Sequence, residues 1–324
     1  MLRTGYFSGR VGALVSGVVL AVALAGCSGP SLAIPPTPTA NPSAVPSTSN
    51  HQHGEGGGGG GLRLVTKYGG PIDVSVEEQP PQPQPSQPFT ITYTLKDEQG
   101  RAVEEQGLRL THDRLMHLIV VSQDLQQFQH IHPLPQGEGR YSVASAVPGA
   151  GKYLLFNEFV SAAGVTQIER DLLDTTGSSP DTAAQLTPDL GSTQRAGELE
   201  AVLTSTSSKV RRRLPVTFNL DVTRNGSPVT DLEPYLAAPC HIVIISADTR
   251  QFAHTHGDVP GGPMSADMSG MDMSRMPSAP VPSHFGPRLQ FTHTFMQQGV
   301  YRVWFQFGYK GQVQTVAYNV QVDK

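Results

Sequence analysis

Two stretches of this chain are near copies of one another, MHLIVVSQDLQQFQHIHP at Met116 to Pro133 and CHIVIISADTRQFAHTHG at Cys240 to Gly257. Aligned without a gap, they set His117 on His241, His130 on His254 and His132 on His256, and they share Ser122/Ser246, Asp124/Asp248, Gln127/Gln251 and Phe128/Phe252. A later landmark repeats as well: GKYLLFNEF and GVYRVWFQF place Gly151, Tyr153, Phe156 and Phe159 on Gly299, Tyr301, Trp304 and Phe307. A sequence written twice in this way folds as two copies of one unit, and the shared histidines give it a paired constellation.

Around the histidine stretches the chain reads as strands. LRLVTKY, IDVSVEE and FTITYTLKD alternate apolar and polar residues with a period of two, MHLIVV is more uniformly apolar, and RYSVASAV, KYLLFNEFV and TQIERDLL follow. The second half repeats this order through ELEAVLTST, LPVTFNLDVTRNGSPV, HIVIIS, RLQFTHTF, VYRVWFQFGYKGQ and QTVAYNVQV, with Asn225-Gly226 at a hairpin turn. About seven strands per half, with no helical periodicity, predict an all-β protein of two tandem immunoglobulin-like antiparallel β-sandwiches. We place the first over residues 62–174 and the second over 198–324, joined by a linker at 175–197. The repeated aromatics are read as core and strand edge, not as a cofactor box.

The segment before the sandwiches carries an address. Arg3 and Arg10 precede an apolar run too short for a membrane span, so residues 1–26 read as an export signal. Leu24-Ala25-Gly26-Cys27 resembles the lipobox of bacterial lipoproteins, which implies cleavage before Cys27, lipid on that residue and an extracytoplasmic, membrane-anchored protein. Loss of two arginines and no acids would shift the formal charge from −4 to −6, which gives nucleic acid no reason to bind. Residues 27–61, rich in Pro, Ser and Gly, read as a tether, and His51-Gln52-His53 within it as solvated linker. With Cys27 lipidated, Cys240 has no disulfide partner.

The histidine stretch reads as a hairpin. A symmetric register puts His117 opposite His132 and Ile119 opposite His130, so that three imidazoles face one side; a slip of one residue would scatter them. Taken alone, His117 or His241 at the head of an apolar strand reads as a hydrogen-bonded structural residue. The trios His117, His130, His132 and His241, His254, His256 crowd basic groups together, and imidazole is a ligand for Cu, Zn and Ni. Met116 and Cys240 precede the first histidine of each copy and should point to the opposite face, into a core. Asp124 and Asp248 are read as turn caps. His293, on a strand face, and His112, which meets Leu236 in the other copy, stay outside the main set.

The copies differ in length. The histidines are offset by 124 positions (117 to 241) and the late aromatics by 148 (151 to 299), so the second copy gains 24 residues between them. The gain is a loop, 257–287, that starts directly after His256 and carries Met264, Met268, Met271, Met273 and Met276 among Gly, Ser and Pro. No core can absorb five methionines there, and thioethers suit Cu(I).

Glycine-rich phosphate loops, GxSxG, HExxH and recognisable Cys-His arrangements are absent from the sequence, so we assign no reaction and read the chain as a binding protein, not an enzyme. With strands, lipobox and histidines in view, HLIVVSQDLQQFQHIHP with PGAGKYLLFNEF, and LEPYLAAPCHIVIISADTRQFAHTHG with QQGVYRVWFQF, resemble the secreted bacterial β-sandwich modules of the YtkA-like and heavy-metal-associated envelope type. The resemblance covers roughly residues 88–170 and 213–322 and implies an immunoglobulin-like or cupredoxin-like sandwich close to copper handling. Gly257 in place of Pro133, and the methionine loop, depart from it. The resulting expectation is an envelope lipoprotein binding copper, with zinc the weaker candidate, and serving a copper-transport or oxidase-assembly partner. The alternative is a metal-free interaction module in which the histidines are internal hydrogen-bond fixtures.

Overall fold

Alternation along the chain becomes alternation between core and solvent. The computed structural model describes residues 63–64, 72–177, 184–261 and 281–324. In the first half the strands are β1 (Arg63–Leu64), β2 (Asp73–Gln79), β3 (Phe89–Lys96), β4 (Leu108–Arg109), β5 (Met116–Ser122), β6 (Phe128–Ile131), β7 (Leu134–Gly137), β8 (Arg140–Ser145), β9 (Lys152–Ser161) and β10 (Thr166–Asp174). In the second they are β11 (Thr193–Ala196), β12 (Leu199–Ser205), β13 (Val210–Arg211), β14 (Pro215–Arg224), β15 (Ser227–Pro228), β16 (Leu232–Glu233), β17 (Cys240–Ser246), β18 (Gln251–Gly257), β19 (Arg288–Thr294), β20 (Gly299–Tyr309) and β21 (Gln312–Asp323). Among the described residues the one helical element is a 3-10 turn at Glu105–Gly107.

The first half stacks a sheet of order β2-β3-β8-β7 on a sheet of order β10-β9-β5-β6. Those are the two strand orders of an immunoglobulin-type sandwich. In the second half β12, β14 and β19 pair in one sheet and β18-β17-β20-β21 in the other, with β13 running parallel to β21. Both halves close the corner before β9 and β20 in the same way. Tyr153 donates its hydroxyl to the Gly149 carbonyl at 3.1 Å, and Tyr301 donates to Gln297 at 2.9 Å. This is the tyrosine corner of such sandwiches.

Strands β3 and β14 bury one face each: Phe89, Ile91, Tyr93 and Leu95 point inward from β3, and Val216, Phe218, Leu220 and Val222 from β14. Strands β5 and β17 are buried along their whole length. Met116, Leu118 and Val120 enter the first core, and Cys240, Ile242 and Ile244 the second. The opposite faces, with Ile119, Val121, Val243 and Ile245, meet in a third core that joins the two sandwiches. The uniformly apolar character of MHLIVV and CHIVIIS therefore records burial on both sides of the sheet.

The joint has pseudo-twofold order. Phe156 stacks on Phe252 with ring centroids 4.6 Å apart, and their repeat counterparts Trp304 and Phe128 stack at 4.9 Å. Residue i meets j′ as i′ meets j, the signature of an isologous contact, formed here within one chain.

Two boundaries shift from the sequence reading. Strand β11, inside the expected linker, pairs with β12 through a turn at Gly197, whose φ of 56° favours glycine. Ala184 and Leu186 pack into the third core, so this side of the connection is anchored. Strand β1, expected in the first sandwich, pairs with β18 of the second, because the edge of that sheet offers it unpaired backbone groups.

Candidate metal centre

Each histidine hairpin owes its register to its turn. Ser122 hydrogen-bonds to Asp124 and accepts from Gln127 N at 2.9 Å, while Gln126 N reaches Asp124 at 3.0 Å; Ser246, Asp248, Arg250 and Gln251 repeat this arrangement. With the turn pinned, Ile119 pairs with His130, and in the second copy His241 pairs with His256 and Val243 with His254. His117 and His132 lie close by the same register, their ring centroids 5.0 Å apart. The expected convergence of each trio on one face is what the fold produces. Met116 and Cys240 point into the two cores, away from the imidazoles, as the strand period requires.

The sequence suggests one trio per sandwich. The joint instead presses both hairpins against each other, and ligand nitrogens of His117, His130, His241 and His254 all lie within 4.8 Å of one another. The four-membered group spans both halves because the histidine face of each hairpin is the face that forms the joint. His132 remains beside it, its Nε2 3.3 Å from that of His130. A second group unites His112, His241 and His256.

Each ring of the tetrad is held from outside by an oxygen. His117 Nε2 lies 2.9 Å from the Thr111 carbonyl and His241 Nε2 3.3 Å from that of Leu236. His130 Nδ1 lies 2.8 Å from Gln306 Oε1, and His254 Nδ1 2.8 Å from Glu158 Oε2. Gln306 and Glu158 are repeat counterparts, so each sandwich holds the other's ring. The inner nitrogens then face one another: His117 Nδ1 and His130 Nε2 at 3.0 Å, His241 Nδ1 and His254 Nε2 also at 3.0 Å.

The paired rings are one proton short of a complete hydrogen-bond chain. The run from the Leu236 carbonyl through His241 and His254 to Glu158 has three contacts, two neutral rings with one N–H each, and ends that only accept. The outer contacts take both protons, and two lone pairs are left facing each other. An extra proton would make a buried imidazolium. Burial, followed by the charges of neighbouring rings, holds His130, His241 and His254 well below the ordinary imidazole range and takes His132 down to about 2, while burial outweighs the Thr111 hydrogen bond and lowers His117. Neutral imidazoles fixed by outer oxygens, with lone pairs converging, are what a metal ion requires of its ligands. Two nitrogens bound to one ion at about 2 Å in a tetrahedral site lie about 3.3 Å apart, close to the spacing seen.

Sequence reasoning missed three participants. His112 sits on the loop before β5, reaches the second sandwich and lies 3.5 Å from His256 between ring centroids. Glu158 and Gln306 sit in strands read for their aromatics; a lone polar residue inside FNEF and WFQF, on the face away from the core, was the available signal. His293 does not complete the site. It lies in β19 beside Phe295, in the second sandwich's own core, where burial takes it down to about 4. Cys27 and Met264, Met268, Met271, Met273 and Met276 fall outside the described residues.

The family model described as domain of unknown function, DUF8832, matches residues 67–173 and 195–324, one segment for each sandwich. No curated protein matches the sequence. Among solved structures, the chain is similar to a transglutaminase of red sea bream, at 10% identity, covering 79% of this chain and 32% of that one with a TM-score of 0.22. It is similar to the Escherichia coli adhesin FdeC at 14% identity, covering 81% and 66% with a TM-score of 0.24. The Yersinia pseudotuberculosis adhesin InvE shows 8% identity, coverage of 78% and 60%, and a TM-score of 0.24. The chain thus spans about a third of the first of these proteins and less than two thirds of either adhesin.

Proposed function

The chain belongs to the DUF8832 family, and we propose that it binds copper between its two sandwiches, through His117, His130, His241 and His254. The observation that carries this reading is the lone-pair contact at 3.0 Å between His241 and His254, closed at its far ends by a carbonyl and a carboxylate. Copper is favoured over zinc on ligand chemistry. Nitrogen donor sites bind Cu(II) more tightly than Zn(II), and the one cysteine nearby, Cys240, turns its sulfur into the second core. The methionines of the 257–287 loop add donors that prefer Cu(I). We place this activity outside the cytoplasm, on a protein tethered by lipid at Cys27, in metal buffering, transfer or resistance with a copper-transport or oxidase-assembly partner. No helix among the described residues is long and apolar enough to cross a membrane.

The test is a copper titration of the full-length protein against competing chelators, with Cu(II) and Cu(I) measured separately. Replacing His130 and His254 together by alanine should weaken the central site by at least ~100-fold. Parent affinity in that variant would overturn the assignment. Replacing the five loop methionines by leucine should weaken Cu(I) binding and leave Cu(II) binding unchanged.

A metal-free reading draws on one observation, that His117 and His241 are each held by a carbonyl of their own preceding loop, as structural histidines are. It leaves the second pair short of a proton.

A further inference from the structure

His256 lies beside the tetrad, with its Nε2 buried and without a hydrogen-bond partner. A buried imidazole nitrogen without a partner is costly unless something else meets it. The ring of His112, carried by the loop of the first sandwich, lies over that of His256, with centroids 3.5 Å apart and planes inclined by 31°. His241 stands edge-on to both, 5.3 Å from His112 and 4.5 Å from His256. Ligand nitrogens of the three rings lie within 4.8 Å of one another.

We propose that His112 and His256 form a second copper position beside the tetrad, with His241 as a bridging imidazolate that faces the tetrad through Nδ1 and, as the second ion loads, releases to solvent the Nε2 proton otherwise given to the Leu236 carbonyl, so that the joint holds two adjacent ions. This rests on the reading of the tetrad as a metal site and adds a second ion to it. Both ion positions draw ligands from both sandwiches, because His112 comes from the first and His241 and His256 from the second. The position is specific to one side of the pseudo-twofold. The counterpart of His112 is Leu236, which has no donor, and the two residues adopt the same left-handed backbone, φ 49° and 48°. That match also supplies a safe substitution, since the fold already carries leucine at this conformation.

The experiment loads full-length parent, His112→Leu and His256→Gln with copper(II) chloride, removes loosely held metal on a desalting column, counts bound ions and records electron paramagnetic resonance spectra. Other copper bound along the chain cancels in the difference between parent and variant. We expect each variant to hold one ion fewer than the parent, and the spin-coupled half-field signal of the parent to give way to that of an isolated Cu(II) ion. Equal counts and unchanged spectra in parent and variants would overturn the second position and leave the tetrad standing. Loss of both ions in His112→Leu would also overturn it, because a separate second position cannot take the first with it. If the parent and the His130, His254 double variant bind copper alike, the tetrad itself fails, an outcome distinct from either of these.

Discussion

The two sandwiches share a frame and differ at the positions that matter for chemistry. Phe156 on Phe252 and Trp304 on Phe128 are the same contact made twice, and the outer acceptor of each second-strand histidine comes from the same strand position of the opposite sandwich. At that position one half offers neutral Gln306 and the other Glu158. An amide can turn to donate and a carboxylate cannot, so the proton shortage is strict only on the His241–His254 side. On the proposed reading, the carboxylate would also make His254 the stronger donor to a bound ion. The first half has His112 where the second has Leu236, and the second half buries His293 where the first has Ser145, hydrogen-bonded to Gln129 at 2.7 Å. Duplication supplied a symmetric vise, and a few single substitutions gave it a charged side and a neutral side.

The largest effect expected comes from breaking the frame. Phe156→Ala and Trp304→Ala should each cost about 3–5 kcal/mol in denaturant unfolding. Costs that differ several-fold would show that the two stacking contacts are not equivalent. Next is the response to acid, to which His293 in the second sandwich contributes apart from the rings at the joint. His293 titrates at about 4 when folded and near 6.5 when unfolded, so its neutral form stabilises the fold fully above pH 6.5, and that stability is lost as the pH falls toward 4. His293→Leu should therefore reduce the stability lost between pH 7 and pH 4 by about 3 kcal/mol; an unchanged pH profile of unfolding would contradict the burial argument. Smaller again is the exchange of the two acceptors. Glu158→Gln should weaken central copper binding ~10-fold and Gln306→Glu should strengthen it, as read by chelator competition. Equal affinities across all three proteins would mean that the carboxylate does not polarise the site. The smallest change in stability belongs to Leu236→His, under about 1 kcal/mol at an equivalent backbone conformation. By pseudo-symmetry it should add one bound copper ion on the His132 side, and an unchanged count would limit the symmetry to the apolar frame.

The sandwiches, their order and the hairpin register were legible because each rests on local signals. Period-two alternation in FTITYTLKD and VTFNLDV fixes an inward face, and the Ser-x-Asp turn fixes which residues oppose which. The joint was not legible. MHLIVV and CHIVIIS announce burial on both faces without saying what covers the second, and only packing between residues distant in sequence, such as Phe156 and Phe252, merges two trios into one tetrad. For the same reason Glu158 and Gln306 passed as strand residues, although a carboxylate among FNEF aromatics was a signal in plain view. The lipobox and the methionine loop are readings of sequence alone.

The third apolar core has a consequence for loading. Phe156, Phe252, Trp304 and Phe128 clasp the halves together through contacts in which no imidazole takes part. An emptied protein therefore keeps its jaws closed and its rings aimed, unlike small zinc domains that collapse when stripped. On the proposed reading, a copper ion would enter and leave while the fold stays intact.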